Sequence, residues 1–326
     1  MPVRLRDFII TKERMIFAAV SYVHPPGHYL AFLRYYPCER GDRVRSGVSY
    51  CKVTSTAQSF KYLQEWYPEY IFTRRDTRMQ AVPCTRVEKV LSPSERLAEI
   101  VAEPEDVLER KAARLADIFS QAVPVTKLGV TGSLLPRLHL PSSDIDLVVY
   151  GRRNHLRARE LLAELIEEGG EIRELSSKEW RRAYNKRFPD EKTLSFSEFL
   201  WHERRKFHKA SFDGTTFDLL LVREAVKERW GGESYTRLGM VEVTCIVEDA
   251  SYAFDYPARY VVSCEDYDIE EVVAYTHTYA GQAFEGERIL AKGYLEEVTS
   301  RRRSYLRLVV GTTREAAGEF IKVVGK

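Results

Sequence analysis

Residues 144–149 read Asp-Ile-Asp-Leu-Val-Val, and this short stretch constrains the fold more than any other part of the chain. Its apolar and β-branched residues predict a buried β-strand. Because side chains on a strand alternate between faces, Asp144 and Asp146 share one face while the intervening apolar side chains point into a core. Two neighbouring carboxylates repel each other, and a divalent cation is the usual resolution. Oxygen ligands favour Mg²⁺ or Mn²⁺, so the stretch predicts a metal site.

A glycine-serine pair precedes this strand, with ten residues between them. Gly132 and Ser133 follow a predicted strand at 127–130, and we expect them to open a helix. Glycine lets a phosphate approach the backbone, and the first N–H groups of a helix together with a serine hydroxyl can hold its oxygens. A phosphate site beside paired carboxylates predicts phosphoryl or nucleotidyl transfer. In the structural alternative, Asp144 caps a turn and Asp146 pairs with an arginine.

Strand, Gly-Ser, spacer and Asp-x-Asp form a pattern that resembles the polymerase-β-like nucleotidyltransferase superfamily, over roughly residues 105–225. Such enzymes add a third carboxylate from a later strand, and Asp218 in the apolar run 216–222 is the best match. An unpaired charge there would be expensive, and the structural alternative does not explain it. Many members have a small residue and a second glycine after Gly-Ser, whereas this chain has Leu-Leu-Pro-Arg at 134–137. The whole chain also looks like a predicted archaeal nucleotidyltransferase family of unassigned substrate.

The resemblance implies a role for each of these residues. Asp144, Asp146 and Asp218 would be the catalytic residues and the metal ligands, with two Mg²⁺ (or Mn²⁺) ions when nucleotide is bound. Asp218 would hold the catalytic metal and help to deprotonate the attacking hydroxyl. Gly132 and Ser133 would bind the β- and γ-phosphates of the nucleotide.

Residues 178–209 form a basic segment with ten Lys and Arg against five Asp and Glu, and aromatic residues are interleaved among them, including Tyr184, Phe188, Trp201 and Phe207. One interpretation is a contact surface for RNA or for the triphosphate, because phosphate affinity comes mostly from such charge. Arg205 and Lys206 are predicted to bind the nucleotide. The alternative is a pair of amphipathic helices, and we expect their aromatic residues to face the core. The ten cations are Lys178, Arg181, Arg182, Lys186, Arg187, Lys192, Arg204, Arg205, Lys206 and Lys209.

The chain is predicted to be an α+β protein with three domains. A small α+β domain is expected at 1–91. The polymerase-β-like nucleotidyltransferase domain, a mixed sheet with helices, is expected at 92–240 and includes a hairpin with an Asp213-Gly214 turn. A β-rich domain is expected at 241–326, where five short strands predict an OB-like barrel or a sandwich.

The composition excludes several classes of protein. The net charge is +2, so no overall positive field would draw the chain onto nucleic acid. Hydrophobic residues make up 44% of the sequence, which excludes a mostly disordered chain. No apolar run reaches the roughly 18 residues that span a bilayer. The first residues lack the apolar stretch of a signal peptide, so we expect a cytoplasmic protein with no membrane partner.

The five cysteines are widely scattered, and no Cys-x-x-Cys occurs. We therefore expect a reduced protein with neither a zinc knuckle nor a disulfide framework. The chain has only two Asn and five Gln beside 30% charged residues, which is a thermophile-like composition.

These observations predict a nucleotidyltransferase that moves an NMP group from an NTP to an acceptor hydroxyl and releases pyrophosphate. ATP is the expected nucleotide and RNA the expected acceptor. Two alternatives stay open: AMP transfer to a protein or small molecule, and a non-catalytic module on the same fold that binds nucleotide or RNA. The set Asp144, Asp146 and Asp218 argues against the second alternative, because a retired site has no obvious reason to keep three clustered carboxylates.

Overall fold

The computed structural model describes residues 3–74, 77–188, 193–313 and 316–325. These residues form six α-helices together with β-sheets, so the chain is an α+β protein, as predicted. None of the described helices is long and apolar enough to cross a membrane. The helices are α1 (Thr56–Trp66), α2 (Pro93–Ala102), α3 (Val107–Phe119), α4 (Arg152–Glu168), α5 (Ser177–Arg187) and α6 (Phe196–Arg204).

The strands divide into an N-terminal, a central and a C-terminal group. The first group is β1 (Phe8–Thr11), β2 (Ile16–Ala19), β3 (His28–Pro37), β4 (Arg43–Arg45), β5 (Val48–Lys52), β6 (Ile71–Arg74), β7 (Thr77–Pro83) and β8 (Val87–Leu91). The second is β9 (Leu128–Thr131), β10 (Ile145–Tyr150), β11 (Ile172–Arg173), β12 (Lys209–Phe212) and β13 (Thr215–Val222). The third is β14 (Glu233–Tyr252), β15 (Ala258–Cys264), β16 (Ile269–Ala274), β17 (Arg288–Ser300), β18 (Ser304–Val310) and β19 (Phe320–Val323).

The chain forms two compact units. The first contains Met1–Glu174 and His208–Trp230, and the second contains Leu175–Phe207 and Gly231–Lys326. The three-domain division with boundaries after residues 91 and 240 stays a prediction.

The first unit contains two sheets. In the N-terminal sheet the strand order is β4-β5-β3-β2-β1-β8, with β7 pairing with β3 and with β6. The central sheet has the order β11-β12-β13-β10-β9, and in it β10 and β13 run parallel while the other pairs are antiparallel. The apolar side chains of its strands pack into one core with α2, α3 and α4. The predicted Asp213-Gly214 hairpin is confirmed as β12 and β13.

The helix that we expected to begin at Gly132-Ser133 is wrong, because residues 132–137 form turns. Pro136 cannot donate a helical hydrogen bond and disfavours helical geometry at the preceding residue. Arg137 has a left-handed backbone, with φ of 55°. The buried side chains of Leu135 and Leu138 pack against the N-terminal sheet, in a cluster that includes Tyr35. This loop therefore joins the two sheets of the first unit.

The second unit consists of α5, α6 and the third group of strands. Five strands pair around a ring in the order β14-β15-β16-β18-β17, and β14 pairs with β17 to complete it, while β19 pairs with β17 outside the ring. Strand β14 begins at Glu233, earlier than predicted, because residues 233–246 pair with β17. Tyr184 and Phe188 lie in the unit's core together with Trp180 and Phe199, so the prediction that the interleaved aromatic residues face inward is confirmed for these two. It is wrong for Phe207, which is 38% exposed, while Trp201 is half-buried.

The expectation of reduced, unpaired cysteines is wrong for four of the five. Disulfides join Cys38 to Cys51 and Cys245 to Cys264, while Cys84 is free and exposed. Cys245 and Cys264 are opposite each other on β14 and β15. Their separation of 19 residues along the chain carries no pairing signal, because strand pairing rather than sequence spacing brings the sulfurs together.

Candidate active site

Two of the three predicted catalytic aspartates are direct neighbours across the central sheet. Asp146 on β10 is in register with Asp218 on the parallel strand β13. On its other side, Asp146 is opposite Thr131 of β9. The flanking side chains of Ile145 and Leu147 are fully buried, which is the predicted alternation. Two carboxylates therefore meet on one face of the sheet.

The third aspartate completes the cluster from just outside the strand. Asp144 directly precedes β10 and is exposed. Burial, followed by the negative charges of Asp218 and Asp144, raises the pKa of Asp146. The negative charges of Asp218 and Asp144 thus disfavour ionisation of Asp146. A divalent cation relieves such repulsion, and the all-oxygen donor set fits Mg²⁺ or Mn²⁺.

A lysine faces the third carboxylate from the adjacent strand. Lys209 is opposite Asp218 in the β12–β13 hairpin, and its ammonium forms an ion pair with the Asp218 carboxylate. Both side chains are largely buried, at 11% and 15% exposed. The positive charge of Lys209 also opposes the rise in the pKa of Asp146. Lys209 therefore supplies a fixed positive charge inside the acidic cluster.

Gly132 lies directly against the carboxylate of Asp146. A Cβ atom at position 132 would stand 1.8 Å from Asp146 Oδ2, far inside contact distance. The residue also has a left-handed backbone, with φ of 64°, which glycine adopts without strain. Both facts explain why glycine occupies the position directly after β9. Glycine therefore lets the carboxylate of Asp146 lie against the backbone, while the contact of Gly132 with a phosphate stays a prediction.

The loop after Gly132 is held in place by arginines. Ser133 is buried, and its carbonyl accepts a hydrogen bond from the Leu138 amide at 2.9 Å. Arg96 of α2 donates from Nε to the Leu134 carbonyl at 3.2 Å and is also paired with Glu109. Arg43 of β4 donates to the Leu138 carbonyl. The loop that departs from the family pattern is therefore fixed by α2 and by the N-terminal sheet.

Arg6 brings a second positive charge to the carboxylates. It precedes β1 and has a left-handed backbone, with φ of 76°. Its amide donates to the Ala19 carbonyl at 3.1 Å, and its own carbonyl accepts from Thr131 Oγ1 at 3.0 Å. Its charge, like that of Lys209, opposes the rise in the pKa of Asp146. A strained non-glycine residue held on both sides beside a polar cluster is typical of functional sites.

A second acidic cluster lies behind the loop. Ligand atoms of Asp106, Glu109 and His139 all lie within 4.8 Å of one another. Asp106 accepts from the Glu109 amide as the N-cap of α3, and it contacts His139 Nε2 at 2.6 Å. Since Glu109 is also paired with Arg96, these groups already bind one another and hold the loop. In the part of the chain that the structure describes, the carboxylate oxygens of Asp144, Asp146 and Asp218 do not all come within that distance of one another.

The two cations predicted to bind nucleotide belong to the other unit. Lys206 is fully buried, where it is paired with Glu203 and donates to the Thr278 carbonyl at 2.9 Å. Arg205 is paired with Glu287 at 2.6 Å and lies over the rings of Trp201 and Phe284. These contacts are typical of core residues, and the assignment of Arg205 and Lys206 to the nucleotide stays a prediction. Lys192 lies outside the described residues.

Sequence reasoning assigned no role at the aspartates to Lys209 or Arg6. A signal existed for Lys209, because a two-residue Asp213-Gly214 turn fixes the hairpin register and places position 209 opposite position 218. Arg6 carries no comparable signal, since its position depends on how the N-terminal sheet packs.

Comparison with known proteins shows which family the chain belongs to. The sequence model of the family described as "Nucleotidyltransferase domain" matches residues 112–208. This range contains Gly132, Ser133 and the Asp-x-Asp pair, and it ends before Asp218. A relative described as "Uncharacterized protein MJ1086", from Methanocaldococcus jannaschii, is 42% identical over 340 residues, which cover 99% of each chain. No solved structure matches the chain. The chain therefore belongs to the polymerase-β-like nucleotidyltransferase superfamily, and it is a transferase enzyme.

Proposed function

We propose that this enzyme is a metal-dependent nucleotidyltransferase that moves an NMP group, with ATP as the donor, to an acceptor hydroxyl on RNA. The observation that carries the proposal is the register of Asp146 with Asp218, beside Asp144 and next to the backbone of Gly132. Asp218 lies beyond the matched range of the family, so its pairing with Asp146 is independent support.

Asp144, Asp146 and Asp218 would hold Mg²⁺ or Mn²⁺, with two ions present when the nucleotide is bound. Bound metal would neutralise charge on the triphosphate and lower the pKa of the attacking hydroxyl. The backbone at Gly132 and Ser133 would bind the β- and γ-phosphates. The positive charges of Lys209 and Arg6 offset the net negative charge of carboxylates and phosphates.

The reaction follows from these positions. The acceptor oxygen forms a bond to the α-phosphorus, the bond from that phosphorus to the bridging oxygen of the β-phosphate breaks, and pyrophosphate leaves with the electron pair. Asp218 would help to remove the hydroxyl proton, which passes to solvent. The products are a nucleoside monophosphate ester and pyrophosphate. Holding acceptor and nucleotide in line is the main contribution that a fixed site can make.

The second unit is the proposed acceptor module. Its ring of strands β14-β15-β16-β18-β17, with β16 and β18 parallel, supports an OB-like barrel. OB-like barrels are a common architecture for binding oligonucleotides, which favours RNA over a small molecule. A cytoplasmic location for the enzyme is also a proposal.

A label-transfer experiment tests the function. The enzyme is incubated with each NTP labelled at the α-phosphate, with Mg²⁺ or Mn²⁺, and with separate pools of RNA, protein and small molecules. We expect label on RNA, most strongly from ATP, and no transfer by an Asp218→Asn variant. Asp213→Asn is the matched control, because Asp213 is exposed at the turn of the same hairpin and has a left-handed backbone that Asn tolerates.

Each other outcome contradicts part of the proposal. Label on protein or on a small molecule alone would refute the RNA acceptor. Full transfer by Asp218→Asn would refute the site. Binding of nucleotide without transfer to any pool would favour the non-catalytic alternative.

A further inference from the structure

The exposed surface of α5 is almost entirely cationic. The helix carries five Lys and Arg, all exposed, and its acidic residue, Glu179, belongs to the capping box with Ser176. Lys178, Arg182 and Lys186 follow one another at spacings of four residues, which places them along one face of the helix. The five cations are Lys178, Arg181, Arg182, Lys186 and Arg187.

The opposite surface of α5 is fixed in the core of its unit. Trp180 and Tyr184 are 1% and 3% exposed, and both rings contact Phe199 of α6. The Tyr184 hydroxyl donates to the Leu194 carbonyl at 2.6 Å. Both aromatic side chains therefore anchor one side of the helix in the core, and the five cations lie on its exposed surface.

Like charges four residues apart repel one another on a helix, so a polyanion lying along such a row would stabilise it. A membrane surface is a poor fit, because helices that lie on membranes insert apolar side chains, and the apolar residues of α5 are buried in the core. Phosphates of a nucleic acid in solution match a polar, rigid row of Lys and Arg.

The barrel that accompanies α5 has the opposite charge. Residues 241–326 hold ten Lys and Arg against fifteen Asp and Glu, a net charge of −5. Phosphate affinity therefore has to come from a local surface within this unit. Lys206 is fully buried beside Glu203 and Arg205 is paired with Glu287, whereas five exposed cations of the basic segment lie together on α5.

We infer that the cationic face of α5 binds the phosphate backbone of the RNA acceptor. The inference rests on the proposed function in its choice of RNA as the polyanion. Contacts to phosphates carry little sequence information, so this surface would position RNA rather than select a sequence.

Fluorescence anisotropy with a labelled single-stranded RNA over a range of KCl concentrations tests the inference. The variant is the double substitution Lys178→Gln and Arg182→Gln, and the control is Arg153→Gln with Arg157→Gln. The control pair has the same spacing and is exposed on α4. Loss of two phosphate contacts should reduce the salt slope by about 1.4 and weaken binding about 25-fold near 0.1 M salt. Circular dichroism checks that both variants fold.

Equal RNA affinity of the α5 variant and the wild type would overturn the inference, and so would equal weakening by the α4 control. Binding of poly-glutamate with the affinity and variant sensitivity of RNA would assign the surface to an acidic protein instead. The label-transfer assay separates the two proposals. RNA binding that depends on α5 without any NMP transfer refutes the proposed function alone, and transfer to RNA with α5-independent binding refutes this inference alone.

Discussion

A single methyl group at position 132 tests the geometry of the candidate active site. In a Gly132→Ala variant the added Cβ atom would stand 1.8 Å from Asp146 Oδ2, whereas ordinary contact begins at about 3.4 Å. The carboxylate would therefore have to move by about 1.6 Å, and displacement of a catalytic group by about 1 Å can lower a rate about 100-fold. We expect at least that loss of NMP transfer.

Folding should suffer far less than activity. A left-handed backbone at alanine costs about 1–2 kcal/mol, because Cβ approaches the following carbonyl. For a unit of about 150–250 residues, each kcal/mol lowers the melting temperature by about 2–4 °C. The expected variant is thus a folded protein with a modestly lower melting temperature and very low activity.

Gly170→Ala is the matched control, because nothing lies within 4 Å of the added Cβ. Gly170 does not have a left-handed backbone. Alanine at this position should therefore leave NMP transfer unchanged and raise the stability of the folded protein slightly. The measurements are label transfer under single-turnover conditions and thermal unfolding. Wild-type activity in a folded Gly132→Ala variant would show that Asp146 does not act from the position that the structure gives it.

Two further predictions concern charge. Burial and the charges of the other two aspartates raise the pKa of Asp146, while the positive charge of Lys209 lowers it. A Lys209→Met variant should therefore move the acidic limb of the pH–rate profile to higher pH. A limb that does not move would contradict the role of Lys209. Burial raises the pKa of Asp7 from 3.8 to about 7, so the folded state keeps a proton that the unfolded state loses, and stability falls as pH rises from about 4 to 7. An isosteric Asp7→Asn variant should remove this pH-dependent loss of stability, which is at most about 4 kcal/mol. The measurement is urea unfolding of the wild type and the variant at pH 5 and pH 8. An equal change in the free energy of unfolding between the two pH values in both proteins would contradict the prediction.

Local patterns in the sequence were sufficient to predict the strands that carry the candidate site. Strand alternation predicted a shared face for the Asp-x-Asp pair, and the Asp213-Gly214 turn predicted the hairpin that carries Asp218. These local patterns could not predict that Asp146 lies directly opposite Asp218, because that contact depends on β13 being the parallel neighbour of β10. The order of strands in a sheet is set by the packing of the whole domain. The sequence therefore predicted which aspartates belong to the site but not the register in which their strands pair.

Two predictions from local sequence were wrong, namely the helix after Ser133 and the absence of disulfides. The helix after Ser133 is replaced by turns because Pro136 and the arginines that bind the loop carbonyls outweigh local helix signals. The disulfide between Cys245 and Cys264 depends on the pairing of β14 with β15. The outcome was better for α5, where the interpretation as an amphipathic helix predicted that Tyr184 faces the core, and its side chain is buried.

The N-terminal sheet contributes directly to the candidate active site. Arg6 contacts Thr131 beside Asp146, and Arg43 donates to the loop that follows the Gly-Ser pair. Burial raises the pKa of Tyr35 on β3, and the charge of Asp146 acts in the same direction, so this ring also lies near the carboxylates. The matched family range begins only at residue 112, and none of these N-terminal residues is within it. Positive charge and support for the loop beside the three aspartates therefore come partly from the N-terminal part of the chain, outside that range, which makes it part of the candidate active site.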